Sequence, residues 1–184
     1  MFPRRLSASI IALLLVVGGL VDSQDRASVT PPEGAQSVSE SAGSGREAFE
    51  IIATNTADIG PQALAPIRCH GAYDYPHRST SSKRRAINAH LTVTCKGGKA
   101  SLTRITANTR MTDNTGRMGR INFHSGNGRV KAAGELGCTR DRRLYRSVAV
   151  VQFVFPAGYT PKMVRQGAAS VHRPFQQSAS GICR

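Results

Sequence analysis

A strict alternation of apolar and polar residues between positions 87 and 95 is the strongest constraint on the fold. The apolar members of this stretch are Ile87, Ala89, Leu91, Val93 and Cys95. Polar residues occupy every position between them. Successive side chains of a strand point to opposite faces, so a period of two places the apolar set on a core face and the polar set in solvent. The stretch therefore predicts a half-buried β-strand.

Turn residues divide the rest of residues 66–184 into further short strands. The segment Lys96-Gly97-Gly98-Lys99 predicts a hairpin that leads into a return strand at 101–111, because glycine accepts positive φ. Weaker strands are predicted at three further places, each bounded by turn residues: 120–124, 129–133 and 168–172.

Residues 144–155 differ from the other predicted strands because apolar side chains occupy both faces. Tyr145 and Phe153 point one way, and Val148, Val150 and Val154 point the other. This pattern predicts a central strand that is covered on both sides. No convincing helical period follows residue 23. The chain therefore predicts an all-β fold, an Ig-like antiparallel β-sandwich of about six or seven strands, with a small β-barrel as the alternative.

The first 23 residues have the layout of a secretory signal peptide. Arg4 and Arg5 precede an apolar run at 10–21, and the small residue Ser23 follows it. The run is too short to span a bilayer comfortably. We therefore expect residues 1–23 to be removed, the mature chain to begin near Gln24, and the protein to be secreted without stable membrane insertion.

Four cysteines in an exported chain predict two disulfides. Three pairings are possible. Cys69–Cys95 would tie the entry of the domain to the end of the alternating strand, and Cys138–Cys183 would fasten the C-terminus beside the start of the strand at 144–155. On the loop-entropy model these two bridges would contribute about 3.5 and 4 kcal/mol. A metal site is disfavoured, because the chain has no Cys-x-x-Cys and its histidines show no ligand spacing. We expect neither a metal nor another cofactor.

Charge divides the mature chain into an acidic arm and a basic body. Residues 24–65 contain two Arg and six Asp or Glu, whereas residues 66–184 contain 21 Lys or Arg and four Asp or Glu. The arm is rich in Ser, Gly, Pro and Glu, which predicts a flexible segment. Its apolar cluster, Phe49, Ile51 and Ile52, is either a linker that packs on the domain or a peptide that binds a partner.

The basic body contains two clusters of cations that predict binding to an anionic partner. One cluster precedes the alternating strand and the other precedes the strand at 144–155. Their members are Lys83, Arg84 and Arg85, and Arg140, Arg142, Arg143 and Arg146. Acidic protein surfaces, envelope phosphates and nucleic acid are the candidate partners, and a merely solvated cationic face is the alternative. Base stacking is disfavoured, because residues such as Phe123 and Phe153 are expected in the core.

Enzyme motifs are missing from the sequence. It has no Gly-x-Ser-x-Gly elbow and no Gly-x-x-x-x-Gly-Lys loop. A secreted ribonuclease would need an acid, a base and a cation, and His90, His124 and Glu135 supply the first two types. An exposed histidine on a polar strand face is the commoner explanation for His90. The chain is predicted to have no enzymatic activity, and a ribonuclease-like enzyme is the weakest alternative.

Several segments together resemble a group of small exported actinobacterial proteins. These segments are Cys69 with Pro76-His77-Arg78-Ser79, Ile87-Asn88-Ala89-His90 with Thr94-Cys95, Cys138 with Tyr145-Arg146, and Pro156-Ala157-Gly158-Tyr159-Thr160-Pro161. The resemblance implies a two-disulfide β domain over residues 66–184. It also implies the role of some proteins of this type, the small adaptor subunit of umbrella toxin particles, whose extended N-terminal arm engages a lectin-like partner.

The prediction for function is therefore a secreted binding or adaptor protein with an extracellular protein partner. The alternative is a cationic protein that binds anionic cell envelopes or nucleic acid.

Overall fold

A computed structural model describes residues 49–56, 64–80 and 84–184 of the chain. The predicted signal peptide at 1–23, residues 24–48 of the predicted arm and Lys83 lie outside the described residues. In the part that is described, no helix is long and apolar enough to cross a membrane.

The described chain is all-β, as the sequence predicts. Besides a 3-10 turn at Ala100–Leu102, its elements are β1 (Phe49–Asn55), β2 (Ile67–Tyr73), β3 (His77–Arg78), β4 (Ala86–Lys96), β5 (Arg104–Asp113), β6 (Asn122–Asn127), β7 (Arg129–Gly137), β8 (Arg143–Val154), β9 (Tyr159–Thr160), β10 (Met163–Ala169) and β11 (Arg173–Phe175). The number exceeds six or seven, because β3, β9 and β11 are too short to show an alternation in the sequence and β1 lies in the segment predicted as the arm.

The strands form two antiparallel sheets, each built around one long strand. In the first sheet β4 pairs with β7 on one edge and with β2 and β3 on the other. Beyond β2 follow β1 and then β9. In the second sheet β8 pairs with β5 on one edge and with β10 and β11 on the other, and β6 follows β5. The sheets do not close into a barrel, so the predicted sandwich is confirmed and its barrel alternative is not.

The core lies between the inner faces of the two sheets. The alternating stretch behaves as predicted, since Ile87, Leu91 and Val93 of β4 are fully buried. From β8, Phe153 is fully buried, and Phe49 of β1 meets it edge to face with ring centroids 6.0 Å apart. Each large apolar side chain buried in this way stabilises the fold by about 1.5–3 kcal/mol.

The predicted hairpin at Gly97 and Gly98 is wrong. β4 pairs with β2 and β7, whereas β5 pairs with β6 and β8, so this connection carries the chain from the first sheet to the second. Both glycines have positive φ, and a Cβ at Gly98 would collide with the Tyr159 hydroxyl and the Ala65 carbonyl. Glycine is required here for close approach. The same turn chemistry is compatible with a hairpin or with a change of sheet.

The predicted covering of 144–155 on both sides is also wrong. β8 is central, because it pairs along both edges, but only one of its faces is buried. On the other face Val150 is 51% exposed and Val154 is 41% exposed. The valines predict a further layer of residues over this face, and no described residues form one. An apolar strand therefore faces outward at the centre of the second sheet.

The predicted boundary of the arm at residue 65 is corrected by β1. Phe49–Asn55 pairs with β2 and with β9, so this segment is part of the first sheet. Phe49 and Ile51 are half-buried and pack against the core. These two side chains are committed to packing rather than to a partner, whereas Ile52 points outward and is 41% exposed.

Both disulfides of the favoured pairing are present. Cys69–Cys95 joins facing residues of β2 and β4, and Cys138–Cys183 attaches the C-terminus to the end of β7. No free cysteine remains in the described chain. This oxidised state is compatible with an extracellular protein.

Candidate functional site

The outer face of the second sheet combines exposed apolar groups with positive charge. Residues paired across antiparallel strands project on the same side of a sheet. Four strands contribute to this face, which we call the arginine face: Phe123 and Ser125 from β6; Arg104, Thr106, Asn108, Arg110 and Thr112 from β5; Arg146, Val148, Val150, Gln152 and Val154 from β8; and Met163, Arg165, Gly167 and Ala169 from β10.

The apolar part of the arginine face runs across neighbouring strands. One cross-strand row contains Phe123, Asn108, Val150 and Gly167. Phe123 is 66% exposed, so the expectation that its ring belongs in the core is wrong. β6 is an edge strand, and its register with β5 turns Phe123 to the outside, opposite the exposed Asn108. A large aromatic ring is therefore available at the border of the face.

The charged part of the arginine face consists of arginines. The four charged strand residues that project from it are Arg104, Arg110, Arg146 and Arg165. No lysine or carboxylate projects from the described strand positions of this face. Desolvation, together with the positive charge of Arg146, lowers the pKa of His172, which follows β10. Because these arginines are the charged residues at its described strand positions, the face is positive along its whole width.

A shallow open groove crosses the arginine face between β5 and β8. Its volume is about 490 Å³. The side chains along it include Asn108, Arg110, Ile121, Val148, Val150 and Arg165. Beside Gly167 the face has no side chain to form a wall, because open space lies where a Cβ would stand.

Polar contacts hold one arginine beside the groove. The Arg165 Nε–H donates to Gln152 Oε1 over 3.2 Å. Gln152 in turn directs its Nε2 toward the Met163 sulfur, at 3.3 Å. These contacts orient the guanidinium over the sheet. Its terminal N–H groups have no partner among the described residues and can bind one, since a guanidinium offers five donors.

Parts of the two predicted cation clusters meet at one end of the sandwich. The Cys183 N–H donates to the Arg84 carbonyl over 2.8 Å, and Cys183 is bonded to Cys138. The disulfide therefore brings the Arg84 and Arg85 segment beside the loop that contains Arg140 and Arg142. We call these four arginines and Arg184 the basic end. A second open groove of about 440 Å³ lies here, lined by Arg142, Pro174, Gln176 and Arg184.

Arg143 and Arg146 do not belong to the basic end. Arg146 lies on the arginine face. Arg143 donates from Nη1 to the buried carboxylate of Asp113 over 3.1 Å, and its Nη2 lies 3.6 Å from Asp141. The hydrogen bond with Asp113 and the nearby negative charges raise the pKa of Arg143. The prediction that Arg143 binds an anionic partner is therefore corrected: it neutralises a carboxylate inside the protein.

The structure separates the residues considered for a ribonuclease. His90 lies on β4 in the first sheet, with Glu135 on the neighbouring β7, whereas His124 lies on β6 in the second sheet. His90 instead forms a contact with Asp74, at 2.7 Å between His90 Nδ1 and Asp74 Oδ2. His77 lies beside both, and one potential ligand atom from each of the three side chains falls within 4.8 Å of the others. We call these three residues the histidine cluster.

Sequence reasoning missed both the arginine face and the histidine cluster. Alternation within 104–111 places Arg104 and Arg110 on the face opposite Ile105, and that signal was present in the sequence. The histidine cluster had no such signal, because Asp74 and His77 precede His90 by more than ten residues and meet it only across the paired strands.

No protein-family model matches the chain, and comparisons with curated proteins and with solved structures found no match.

Proposed function

We propose that this protein is an exported, non-enzymatic binding protein that docks an acidic protein partner on the arginine face. The observation that carries the proposal is the composition of that face. Protein interfaces are enriched in Arg, Met and aromatic residues and depleted in Lys, Asp and Glu. The arginine face contains the first set, and its described strand positions hold none of the second.

The exposed apolar groups favour a protein partner over nucleic acid. Val150, Val154 and Met163 are each more than 40% exposed, and they lie on neighbouring strands of one face. An apolar patch on a monomer is typical of a protein interaction site. Nucleic-acid interfaces are more polar, and their affinity comes largely from phosphate contacts that a valine cannot make.

The chemistry of the partner follows from the charge. Four arginines without a carboxylate among them would repel a cationic surface and attract an acidic one. We therefore expect the partner to present Asp and Glu around an apolar centre. Export rests on the predicted signal peptide, and the two disulfides support it. An adaptor role, which the resemblance implies, fits a protein whose prominent feature is a docking face.

Site-specific photocrosslinking tests this proposal in the disulfide-bonded protein. A photoreactive residue at Val150 of the arginine face is compared with one at Thr92, on the outer face of the first sheet. In culture supernatant of the producing organism, we expect one protein crosslinked from Val150 and none from Thr92. Equal crosslinking from both positions, or nucleic acid as the crosslinked species, would refute a protein-docking face.

The purified partner then allows a quantitative test. Val150→Asp places a charge at the centre of the patch, where hot-spot changes cost about 2 kcal/mol or more, so the affinity should fall about 30-fold or more. Arg165→Glu should mainly slow association and reduce its dependence on salt. Lys131→Glu on the first sheet is the matched charge reversal and should leave the affinity unchanged.

The basic end supports a second candidate function, which is binding to anionic polymers. Its arginines come from three chain segments, and two of them, Arg142 and Arg184, line an open groove. Retention on RNA or on teichoic acid, lost in Arg142→Ala with Arg184→Ala and kept in Val150→Asp, would identify this function. Retention that depends on Val150 would assign it to the arginine face instead.

A further inference from the structure

Carboxylates and histidines concentrate on the outer face of the first sheet. Residues 66–184 contain only four carboxylates against 21 cations. Two of these four, Asp74 and Glu135, lie on this face together with His77 and His90. The body is otherwise so basic that such a group offers one of the few places where it can hold a cation.

Hydrogen bonds determine which imidazole nitrogens are free. The Nδ1 of His77 lies 2.8 Å from the Tyr75 carbonyl, which can only accept, so this Nδ1 carries the proton and donates. The Nδ1 of His90 likewise donates to the carboxylate of Asp74. In both neutral rings the proton is therefore on Nδ1, and each Nε2 keeps a lone pair that has no partner among the described residues.

This arrangement matches that of metal-binding histidines. Such histidines donate their second ring nitrogen to a carboxylate or a backbone carbonyl, which fixes the tautomer and the ring orientation. His90 has the carboxylate of Asp74, and His77 has the carbonyl of Tyr75. Asp74 is itself held, because its Oδ1 accepts the His90 backbone N–H. The two imidazole rings lie side by side, with centroids 5.3 Å apart and planes tilted by 31°.

Unpartnered acceptor atoms flank the histidine cluster. His77, Asn88 and Glu135 occupy one cross-strand row from β3 to β7. Asn88 Oδ1 and Glu135 Oε1 are buried and have no hydrogen-bond partner among the described residues. Buried polar atoms are rarely left without a partner. The row thus places two unpartnered acceptor oxygens, one of them from a carboxylate, next to His77 of the histidine cluster.

We propose that His77 and His90 bind a zinc ion through their Nε2 atoms, with Asp74 as the residue that orients His90. Imidazole is a preferred ligand of zinc, with Zn–N bonds of about 2.0–2.1 Å. Ligand atoms on one ion therefore lie within roughly 4 Å of each other. The two imidazole rings have centroids 5.3 Å apart and both side chains are partly exposed, so rotation about their side-chain bonds can bring the two Nε2 atoms onto one ion. Water completes the coordination shell.

Calorimetric titration with zinc chloride tests the site in the disulfide-bonded protein, prepared without a polyhistidine tag. We expect one zinc ion per chain and no binding of Mg²⁺, which prefers oxygen ligands. Asp74→Asn should weaken zinc binding about 10–100-fold, the usual cost of losing a residue that orients a ligand. His77→Gln and His90→Gln should each weaken it further. His124→Gln is the matched control on the second sheet and should leave the affinity unchanged.

Long-range ¹H–¹⁵N NMR gives a second readout that needs no folded variant. Without metal, both His77 and His90 should show the Nδ1–H tautomer, and zinc should shift their Nε2 resonances. Zinc binding that survives His77→Gln would overturn the proposal, and so would an Nε2–H tautomer in either ring. Zinc shifts confined to His124 or His172 would overturn it as well. If His90→Gln does not fold, His77→Gln and the NMR spectra decide.

Discussion

Replacing Asp113 by Asn should strongly destabilise the protein, because this carboxylate is buried and neutralises two arginines. Asp113 is 5% exposed at the end of β5. Its Oδ1 accepts hydrogen bonds from the Thr115 backbone N–H, the Thr115 hydroxyl and the Arg117 backbone N–H. Its Oδ2 accepts from Arg143 and lies 3.5 Å from Arg117 Nη1.

The magnitude follows from which of these contacts an amide can keep. Asn retains an oxygen for the three donors at Oδ1. Its NH₂ group replaces Oδ2, and it would face the Arg143 donors without any charge to balance them. Breaking a buried ion pair by removing one partner costs about 3–5 kcal/mol. Because Arg143 keeps some contact with solvent, we expect about 3 kcal/mol, which lowers the Tm of a domain of this size by roughly 6–12 °C.

The loss of stability in Asp113→Asn should depend on pH. Burial alone would raise the pKa of Asp113, but the hydrogen bonds from Thr115, Arg143 and Arg117 outweigh burial and lower it. A lowered pKa in the folded state means that the charged form stabilises the fold above the unfolded pKa of about 3.9. That stabilisation is lost as the pH falls through the folded pKa. The difference between wild type and Asp113→Asn should therefore be full at pH 7 and should shrink below pH 4.

Urea denaturation of the wild type, Asp113→Asn and Asp141→Asn checks this reasoning. Asp141→Asn is the matched control, because Asp141 also pairs with Arg143 but its side chain is 83% exposed. An exposed pair contributes about 0–1 kcal/mol. If Asp113→Asn lowers the free energy of unfolding no more than Asp141→Asn does, burial of the carboxylate does not determine the strength of this interaction.

Three further perturbations test other parts of the fold. Burial raises the pKa of Tyr73 to about 12, against the opposing effect of its hydrogen bond with Ser147 and with a smaller contribution from Asp74. The neutral phenol therefore stabilises the fold fully below pH 10, and unfolding measured between pH 10 and 12 should show a loss of up to about 2.7 kcal/mol that Tyr73→Phe lacks. Replacing both cysteines of a bridge by serine should lower the free energy of unfolding by about 3.5 kcal/mol for Cys69–Cys95 and about 4 kcal/mol for Cys138–Cys183, which urea titration measures. Gly98→Ala should destabilise by about 1–3 kcal/mol more than Gly116→Ala in thermal unfolding, because both glycines have positive φ but only Gly98 faces backbone and side-chain atoms where its Cβ would stand.

The sequence predicted those features that depend on local pattern. The alternation at 87–95 determines which side chains of β4 are buried, and the structure confirms it. The favoured disulfide pairing is present as well. The alternation depends only on the chemistry of one short segment, and the disulfide pairing is one of only three that four cysteines allow.

Features that depend on distant partners could not be predicted in this way. The Gly97-Gly98 turn does not reveal which sheet β5 joins, because Ile105 and Ala107 fit the inner face of either one. The sequence groups Arg143 with the free cations, whereas in the folded protein Asp113, which precedes it by 30 residues, neutralises it. The apolar pattern of β8 predicts buried valines on both faces, because nothing in the sequence shows that the second sheet has one open face.

The Tyr159 hydroxyl joins three segments that are far apart along the chain. It donates to the Ala65 carbonyl over 3.1 Å and accepts the Lys99 N–H over 3.3 Å. Beside it, β1 pairs with β9. This pairing of β1, the first of the described strands, can form only with residues that follow it by 106 positions. Pairings this distant slow folding, because the chain must close a long loop before they contribute. A chain that emerges from a translocation pore with its N-terminus first would keep the edge of β1 open until residue 160 has passed.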